Sequence, residues 1–423
     1  MIKFLLKGIL NDRSRSLLPV IVVGLGVALT VLLTCFMEGV FQESITMNAN
    51  FTTGHVKIIT RAFAEDESHL ANDLALIETD NLMNQLSSDH PQIIWEERIR
   101  FGGLIDFPDT TGETRAQGPV LGWGIDLFSP ESQEIQRFNL ADGICSGKLP
   151  SKPGEALITD DFAKKYGIAV GDPFTLFGTT MDGSMAFHNF TVAGTVRFGT
   201  MMIDKGSVII DITDAREALR MEDAATEILG FFPDDRYHDE EASVIAAGFN
   251  RSTNPDDEFA PVMLKLKEQG GLADYLDLSQ YMRGIFVFVF VMAMSVVLWN
   301  TGLLGGLRRY TEFGLRLAMG EEKRHIYRTL IYEGILIGAI GSVLGTLVGL
   351  GFSYYLQEVG FSFGDAMQSS TIMFPNIIKA RIIPSAFYIG FIPGVIAMVM
   401  GNALSGRAIY KRQTSQLFKE LEN

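Results

Sequence analysis

The residues of this sequence that could carry catalytic or metal chemistry are scattered along the chain. Zinc proteases place two histidines four residues apart, serine hydrolases use a G-x-S-x-G turn, and nucleotide hydrolases cradle phosphates in a G-x-x-x-x-G-K-[ST] loop. The sequence contains none of these patterns. The acidic residues at 234–258 also lack the D-x-D-x-D-G spacing of a calcium loop, so a solvated acidic face is favoured. We therefore expect no catalytic residue, no metal site and no cofactor in this chain.

The most compact charged motif is the segment LRRYTEFGLRLAMGEEKRHIY, residues 307–327, which lies between two long apolar runs. A helix over 309–319 would place four residues on one face: Tyr310, Phe313, Gly314 and Leu317. Glu312 can pair with Arg316 at i, i+4, and Gly320 suits the left-handed position after a helix. A short rigid rod between two apolar helices suits the transfer of force, and an ordinary loop is the alternative. Because the phosphate loop is absent, any ATP hydrolysis must occur in another chain.

Charge is distributed unevenly along the 423 residues. Residues 41–282 contain 40 acidic and 18 basic side chains, a net charge of −22, whereas the rest of the chain contains 10 and 17, a net charge of +7. The overall charge of −15 therefore hides an acidic, soluble-looking block carried by a basic, apolar frame. This asymmetry indicates two compartments and is no argument for a charged partner.

Four apolar runs are long enough to cross a bilayer, which takes roughly 20 residues per helix. They lie at residues 17–40, 284–307, 326–356 and 384–404. Lysines and arginines precede the first run, separate the second from the third and follow the fourth, so both termini are expected in the cytoplasm. The predicted fold class is a membrane protein with four transmembrane α-helices, arranged one plus three. A large α/β domain, residues 41–282, is inserted outside between the first two spans.

The remaining segments complete the predicted domain organisation. Residues 1–16 are expected to form an amphipathic helix at the cytoplasmic interface, 308–325 a cytoplasmic coupling helix and loop, 357–383 an extracytoplasmic loop, and 405–423 a cytoplasmic tail. Within the α/β domain, alternating apolar residues predict strands at 54–60, 97–107, 114–125, 155–159, 174–178, 189–199 and 206–211. Helices are predicted at 161–167, with Asp160 or Asp161 as its cap, and at 214–221. The acidic stretch 234–258 is expected to form helix and loop, with a second lobe as an alternative arrangement of the domain.

Three groups of residues resemble a known family. The run from Arg309 to Gly320 matches a cytoplasmic pattern of a basic residue, a glutamate, a hydrophobic residue and a glycine, followed by R-x-A-x-G. Tyr332-Glu333-Gly334, followed by glycines 338, 341, 345 and 349, matches the span after it. Glu155-Ala156-Leu157-Ile158, Gly171-Asp172-Pro173 and Val192-Ala193-Gly194 match core-domain strands. The chain thus resembles permeases of the FtsX-like and MacB-type superfamily of ATP-binding-cassette (ABC) transporters, most closely the lipoprotein-release (LolC/LolE) type. Thr311 departs from the pattern, because relatives usually carry a basic residue there.

The resemblance implies a non-catalytic permease subunit of the bacterial inner membrane, with a periplasmic core domain. Its expected partners are a dimer of ABC ATPase subunits that bind ATP and Mg, a second permease subunit in a homo- or heterodimer, a periplasmic lipoprotein carrier and membrane lipids. No nucleic-acid partner is expected. The expected function is mechanical coupling of ATP hydrolysis to the release of lipoproteins. The alternatives are an export permease for peptide, drug or haem, and a transmembrane regulator of a cell-wall hydrolase.

Site residues follow from the same resemblance. The ATPase-coupling set comprises Arg309, Tyr310, Glu312, Phe313, Gly314, Leu317, Ala318 and Gly320, whose apolar stripe is expected to fit a groove on the ATPase. The expected lipid gate lies between spans one and two and comprises Phe36, Met37, Val40, Phe41, Ile285, Phe286, Val289 and Met292. Ordinary lipid-facing or packing roles are the alternative for these eight. Glu333, a charge within the third span, is expected to pair with Arg328 or Arg324 or to reach the interface. The third-span glycines serve either packing within the subunit or a dimer contact.

Overall fold

The computed structural model describes residues 13–65, 67–109, 111–198, 201–270, 272–307, 309–362 and 377–411. They form two compact units. The α/β unit comprises Glu43–Asp277, and the membrane unit comprises the other described residues, which surround it in sequence. The predicted amphipathic helix at 1–16 lies almost entirely outside the described residues, as does most of the 357–383 loop.

The first apolar run forms helix α1, Arg13–Asn48, which continues as a π-helical turn, Ala49–Thr53. The predicted boundary at residue 41 therefore falls inside a continuous helix. The charged and polar residues that follow the apolar run, such as Glu38 and Glu43, end its apolar character but leave its backbone hydrogen bonding intact, since glutamate is a good helix former. A gain in polarity marks where a helix leaves an apolar layer and does not mark where the helix ends.

The α/β unit is built on strands whose predicted positions are largely confirmed. The strands are β1 (Val56–Thr60), β2 (Leu76–Ile77), β3 (Ile94–Pro108), β4 (Thr114–Ile125), β5 (Ile144–Gly147), β6 (Glu155–Thr159), β7 (Pro173–Thr179), β8 (Met185–Val196), β9 (Ser207–Asp211), β10 (Ala224–Ala225), β11 (Glu227–Phe231) and β12 (Pro261–Lys265). The helices of this unit are α2 (Arg61–Glu65), α3 (Thr79–Asp89), α4 (Glu134–Arg137), α5 (Leu140–Gly143), α6 (Asp160–Tyr166), α7 (Met201–Asp204), α8 (Ile212–Leu219) and α9 (Asp239–Ser252).

Ten of the described strands form one sheet in the order β12-β1-β11-β3-β4-β9-β6-β8-β5, with β7 paired to both β3 and β8. The strands β3, β4, β9, β6, β8 and β7 therefore close a circuit, from which β11, β1 and β12 extend as an open arm. The long strand β3 joins the two parts, because residues 94–98 pair with β11 and residues 99–108 pair with β4. The pairs β4–β9 and β6–β8 are parallel.

Each part of the sheet has its own apolar core. The closed circuit buries a large cluster that includes Phe101, Phe107, Phe174 and Phe190. On the open arm, helices α3 and α9 pack on a second cluster that includes Trp95. Helix α6 begins after Thr159 without a side-chain cap, so the predicted Asp160 or Asp161 cap is wrong. The carboxylate of Asp160 instead binds Arg197 and Lys164, both at 2.7 Å. Ion pairing and helix capping compete for the same carboxylate oxygens.

The membrane unit continues with α10 (Leu272–Leu307), α11 (Tyr310–Ala318), α12 (Lys323–Val359), the strand pair β13 (Phe361–Ser362) and β14 (Ile377–Ile378), α13 (Ala386–Ile389) and α14 (Met398–Lys411). Four helical stretches among the described residues have the length and apolarity to cross a membrane. The fourth is irregular, because a π-helical turn, Ile392–Ala397, separates α13 from α14. Pro393 lies in this turn and lacks the N–H that a regular helix would use.

The glycines of α12 pack within the chain. A Cβ atom at Gly341 would come 2.6 Å from Cγ1 of Val23, and one at Gly349 would come 2.8 Å from the carbonyl of Ala28, both on α1. A Cβ atom at Gly338 would come 2.8 Å from the carbonyl of Gly394, in the π-helical turn. Of the two roles considered for these glycines, the structure supports close helix packing within the subunit.

His55 is a buried titratable group in the α/β unit, and its pKa allows a test of the fold. Its side chain is 2% exposed, its Nδ1 accepts the N–H of Phe232 at 2.9 Å, and its ring stacks on that of Phe232. Burial lowers the pKa of His55 to about 4. Because this value lies below that of an unfolded histidine, the stability contributed by neutral His55 is complete above pH ~6.5 and is lost as the pH falls toward 4.

We predict that His55→Asn, which keeps an acceptor and does not titrate, removes this acid-dependent loss. Between pH 7 and pH 4, the free energy of unfolding of the wild type should fall by about 3 kcal/mol more than that of the variant. Urea unfolding of the detergent-solubilised chain, followed by tryptophan fluorescence, measures the free energy of unfolding of the wild type and of the variant at each pH. His90→Asn, after the end of α3, is the control. Parallel pH profiles for the wild type and His55→Asn would contradict the prediction.

Candidate functional site

The coupling segment forms a separate short helix, as predicted. Helix α11 runs from Tyr310 to Ala318 between α10 and α12. Its C-terminal end is closed by Gly320, which has a φ of +92° and donates its N–H to the carbonyl of Leu317 at 3.1 Å. The N–H of Glu321 binds the carbonyl of Arg316, also at 3.1 Å. These bonds satisfy carbonyls that a helix end would otherwise leave free, so the turn into α12 is well defined.

The predicted apolar stripe of α11 packs inward. Tyr310 is 6% and Phe313 is 4% exposed, and both pack with Leu317 against Ile326 and Leu330 of α12. The four stripe residues do share a face, but the structure turns that face toward the chain's own third span. The expectation that this stripe fits a groove on a partner is therefore not supported. An aromatic i, i+3 pair next to a long apolar helix of the same chain packs against that helix, because contact within one chain does not cost the translational and rotational entropy that binding to another chain costs.

One hydrogen bond joins α11 to α14, and a second joins α14 to α12. The hydroxyl of Tyr310 donates to the carbonyl of Ser405 at 2.9 Å. One turn away on α14, the side-chain amide of Asn402 donates to the carbonyl of Leu330 on α12 at 3.2 Å. Both α14 residues are buried, at 2% and 4% exposure. The short helix is therefore in contact with two spans, α12 and α14. Sequence reasoning missed Asn402 and Ser405, although two polar residues in an apolar span are a visible signal.

Glu333 has an unexpected partner. Its carboxylate forms an ion pair with Arg309, the residue before α11, and the predicted partners Arg324 and Arg328 are exposed. Both of those arginines lie on α12 itself, where the helix geometry points them elsewhere. Arg309 approaches from a neighbouring element, which the linear spacing of the sequence does not reveal. The pair fastens the start of α11 to α12 where α12 is mostly apolar.

Beside this pair lies a cavity of about 330 Å³. Its lining comes from all four spans and from α11: Leu18, Pro19, Gly305, Arg309, Thr311, Glu312, Leu330, Glu333, Ile337, Met398 and Asn402. Thr311, where relatives usually have a basic residue, is therefore a lining residue. Glu312 pairs with Arg316 at 2.9 Å, as its i, i+4 spacing predicted. This second pair is about one-third exposed, so it is worth only a few tenths of a kcal/mol.

The outward face of α11 is also apolar. Leu315 is 55% and Met319 is 72% exposed, and Ala318 and Gly320 are exposed beside them. We call these four residues the coupling tip. Two of them, Ala318 and Gly320, belong to the predicted coupling set. Leu315 and Met319 are four residues apart, so the i, i+4 spacing was a signal, but the more conspicuous aromatic stripe hid it.

The predicted gate residues lie on α1 and α10. An ion pair between Arg283 and Glu38 brings these two helices together near the gate, and a Cβ atom at Gly26 would come 2.8 Å from Cε of Met294. The four α10 residues, Ile285, Phe286, Val289 and Met292, are between 51% and 57% exposed. The four α1 residues, Phe36, Met37, Val40 and Phe41, are partly buried. Of the two sets, the one on α10 offers an apolar surface.

Four membrane-length helices and a separate α/β unit, with a short charged helix between the second and third spans, are typical of a polytopic membrane protein of the permease type. Two family models match the chain: the MacB-like periplasmic core domain over residues 16–237, and the FtsX-like permease C-terminal domain over residues 284–414. The chain therefore belongs to the FtsX-like and MacB-type family of ABC-transporter permeases. This result confirms the predicted family and fold class. The family is one of membrane proteins, in agreement with the four membrane-length helices.

Individual relatives are distant. The chain is 24% identical over 238 residues to the lipoprotein-releasing system transmembrane protein LolC of Xylella fastidiosa, which is 54% of this chain and 55% of that protein. It is 25% identical over 112 residues to the macrolide export ATP-binding/permease protein MacB of Wolinella succinogenes, 23% of this chain and 17% of that protein. The chain thus spans about half the length of the LolC relative and a smaller share of the MacB relative. The periplasmic region of MacB from Actinobacillus actinomycetemcomitans aligns with 52% of this chain and 92% of its own, at 12% identity and a TM-score of 0.35.

We predict that the pair of Arg309 and Glu333 is energetically coupled more strongly than the exposed pair of Glu312 and Arg316. In a double-mutant cycle with Arg309→Gln and Glu333→Gln, each single variant leaves a partly buried charge without its partner. The coupling energy should be about 1 kcal/mol or more, against a few tenths for the control cycle at Glu312 and Arg316. Thermal unfolding of the detergent-solubilised chain measures both cycles. Equal coupling energies would show that the Arg309–Glu333 pair is only a surface contact.

Proposed function

We propose that this chain is the permease subunit of an ABC complex that transmits ATP hydrolysis in a partner subunit to its α/β domain and thereby extracts lipoproteins from the membrane. The observation that carries this proposal is the double attachment of α11. Its inner face is locked to α12 and α14 by buried aromatic contacts, one hydrogen bond and an ion pair. A push on its outer face is therefore passed to two membrane spans.

The coupling tip is the surface we assign to the ATPase. Leu315 and Met319 present exposed apolar area, and the charged residues Arg316, Glu321 and Glu322 next to them in sequence are partly or fully exposed. An apolar centre with a polar rim is the usual anatomy of a protein interface, and methionine adapts to the shape of its partner. The buried coupling residues Tyr310, Phe313 and Gly314 then have a mechanical role, because they stiffen the helix that carries the tip.

The rest of the assembly follows from this assignment. ATP and Mg would be bound by the ATPase dimer, and a second permease subunit would complete the membrane part. The complex would lie in the bacterial inner membrane with both termini and the coupling tip in the cytoplasm. The α/β domain would lie in the periplasm, where a carrier could accept the lipoprotein. The positive flanks of the spans support this orientation.

A charged side chain in the coupling tip should prevent docking of the ATPase. Leu315→Asp and Met319→Asp bury a charge in the interface, so we expect at least about a tenfold loss of co-purified ATPase. Leu315→Met and Met319→Leu keep apolar volume and are the matched controls. Membrane insertion and detergent-extracted yield should remain unchanged, since both side chains are exposed in the isolated chain. Full co-purification and ATPase activity in the aspartate variants would refute the docking assignment.

The assignment of lipoproteins as substrate rests on two observations. The LolC relative is named for lipoprotein release, and it covers more of this chain than the MacB relative does. In addition, α10 exposes phenylalanine, valine, isoleucine and methionine at the predicted gate, next to α1. Such side chains can accommodate acyl chains of varied shape. An acyl chain would enter between the two helices from the outer leaflet.

Photo-crosslinking tests the gate directly. A photoreactive amino acid in place of Phe41 or Phe286 should capture the acyl chains of a co-expressed lipoprotein, detected as a mass shift on a gel. Leu347 on α12 is the control position, because it is 63% exposed and apolar but lies outside the predicted gate. Capture at Leu347 should be limited to phospholipid. Capture of phospholipid alone at all three positions would contradict lipoprotein extraction.

The similarity to a macrolide exporter supports a second candidate, an export permease for peptide, drug or haem. The two functions share the coupling tip and differ in the gate. An export permease should confer resistance to, or secrete, a soluble compound, and its gate variants should leave lipoprotein localisation unchanged. Mass spectrometry of partners that co-purify with the full chain separates the two, because a lipoprotein carrier belongs only to the first.

A further inference from the structure

The α/β unit contains a cleft that the coupling function does not use. It has a volume of about 460 Å³ and is lined by residues from α3, from β3, from the loop after β4 and from the start of α8: Met83, Ile94, Trp95, Glu96, Glu97, Asp126, Ser129, Glu131, Ser132, Ile212, Thr213 and Arg216. Four of these residues are consecutive on β3. Successive side chains of a strand point to opposite faces, so a cavity touched by all four lies along the edge of the strand.

None of the described strands pairs with this edge of β3. Residues 94–98 pair with β11 on one side, from Phe231↔Ile94 to Glu227↔Arg98. On the other side, pairing with β4 begins only at Ile99↔Gly124, because β4 ends at Ile125 and the chain turns away into a loop. Backbone N–H and C=O groups along such an edge can receive an additional strand. About four residues are available, which corresponds to roughly 13 Å of strand.

Two buried polar atoms in the cleft lack partners among the described residues. Trp95 is 8% exposed, and its Nε1 has no acceptor. A Cβ atom at Gly230 on β11 would come 2.5 Å from Cζ3 of Trp95, so the six-membered ring of the indole packs on β11. Oε1 of Glu97 has no donor, although the same carboxylate binds Arg216 through Oε2 at 3.0 Å. A buried donor and a buried acceptor left unpaired are costly, and a peptide group supplies both complements.

The cleft is also strongly acidic. Glu97, Asp126 and Glu131 line it, against one lining cation, Arg216, which pairs with Glu97. Glu96 also lines it, but burial raises the pKa of Glu96 to about 7, and its carboxylate accepts the N–H of Gln133 at 2.9 Å, so the acidic wall consists mainly of Asp126 and Glu131. The loop that carries Asp126 and Glu131 is held in place. Its Leu127 N–H binds Asp211 at 3.0 Å, and the hydroxyl of Ser132 binds the carbonyl of Asp126 at 3.0 Å. The acidic wall is therefore a fixed part of the unit, and its field attracts basic groups.

We propose that this cleft binds an extended, basic peptide segment of another protein, which adds as a strand to the free edge of β3. The peptide backbone pairs with residues 94–98 and offers groups to Trp95 and Glu97. Its lysine or arginine side chains meet Glu131 and Asp126. Strand addition provides affinity through main-chain bonds, and the acidic wall provides selectivity for basic sequences. The site is independent of the proposed coupling function.

The test uses the full chain in nanodiscs of zwitterionic lipid, which do not attract cationic peptides by themselves. The probe is a fluorescent eight-residue peptide of alternating lysine and valine, measured by anisotropy. The same peptide with every backbone nitrogen N-methylated has no N–H to donate from either edge and cannot pair as a strand, and a glutamate–valine peptide has the wrong charge. We expect the lysine–valine peptide to bind, the methylated peptide to bind at least about tenfold more weakly, and the glutamate–valine peptide not to bind.

Variants locate the site. Glu131→Lys should weaken binding about fivefold, whereas Glu113→Lys, an exposed acid in the turn at the far end of β3, should leave it unchanged. Trp95→Phe should weaken binding through loss of the indole N–H. Absence of binding, equal affinity for the methylated peptide, or equal effects of the substitutions at Glu131 and Glu113 would each overturn the proposal. The methylated-peptide comparison uses the wild-type chain, so it remains decisive if a variant fails to fold.

Discussion

A carboxylate within an apolar helix is expensive unless a cation accompanies it, and Glu333 meets that requirement with Arg309. This pairing determines where the chain can go after the second span. Because Arg309 contacts Glu333 on the third span, α11 begins next to α12. The aromatic residues of α11 then pack against Ile326 and Leu330. The hydroxyl of Tyr310 adds α14 to the same assembly. The position of the coupling tip is a consequence of these inner contacts.

The membrane helices themselves are held mainly by close packing of small residues. Glycines on α12 admit the backbones of α1 and of the π-helical turn before α14 at distances that a Cβ atom would prevent. Lipid provides no hydrophobic drive for helices to associate, so van der Waals contact has to supply the attraction. A tightly packed bundle of this kind can pass on a displacement at one end. This property suits the coupling role that we propose for α11.

In the α/β unit, one long strand has a comparable organising role. Strand β3 belongs to the closed circuit in its second half and to the open arm in its first half. Because β4 is shorter at this end, the first half of β3 keeps one edge without a neighbour. The acidic loop and α8 stand beside that edge, and the cleft results from the difference in strand length.

Much of the fold was predictable from local sequence patterns. Four apolar runs, alternating strands such as β3 and β4, and the end of α11 at Gly320 depend on neighbours close in sequence, so periodicity and residue type were sufficient. Nucleotide-binding and metal-binding motifs are likewise defined by residues close in sequence, so the sequence alone was sufficient to search for them. The C-terminal end of α1 and the start of α10 were not predictable, because a helix can continue beyond its apolar residues, whereas the end of α10 at Leu307 was predicted correctly.

The partners of individual side chains were decided by the tertiary structure alone. Sequence spacing predicted Arg324 or Arg328 as the partner of Glu333, but the observed partner, Arg309, lies outside α12. The stripe of Tyr310 and Phe313 was recognisable as a face, yet only packing determined that this face is turned inward and that Leu315 and Met319 point outward. The free edge of β3 depends on where a different strand ends. Residue types and short spacings determine which faces exist, and long-range packing determines what each face meets.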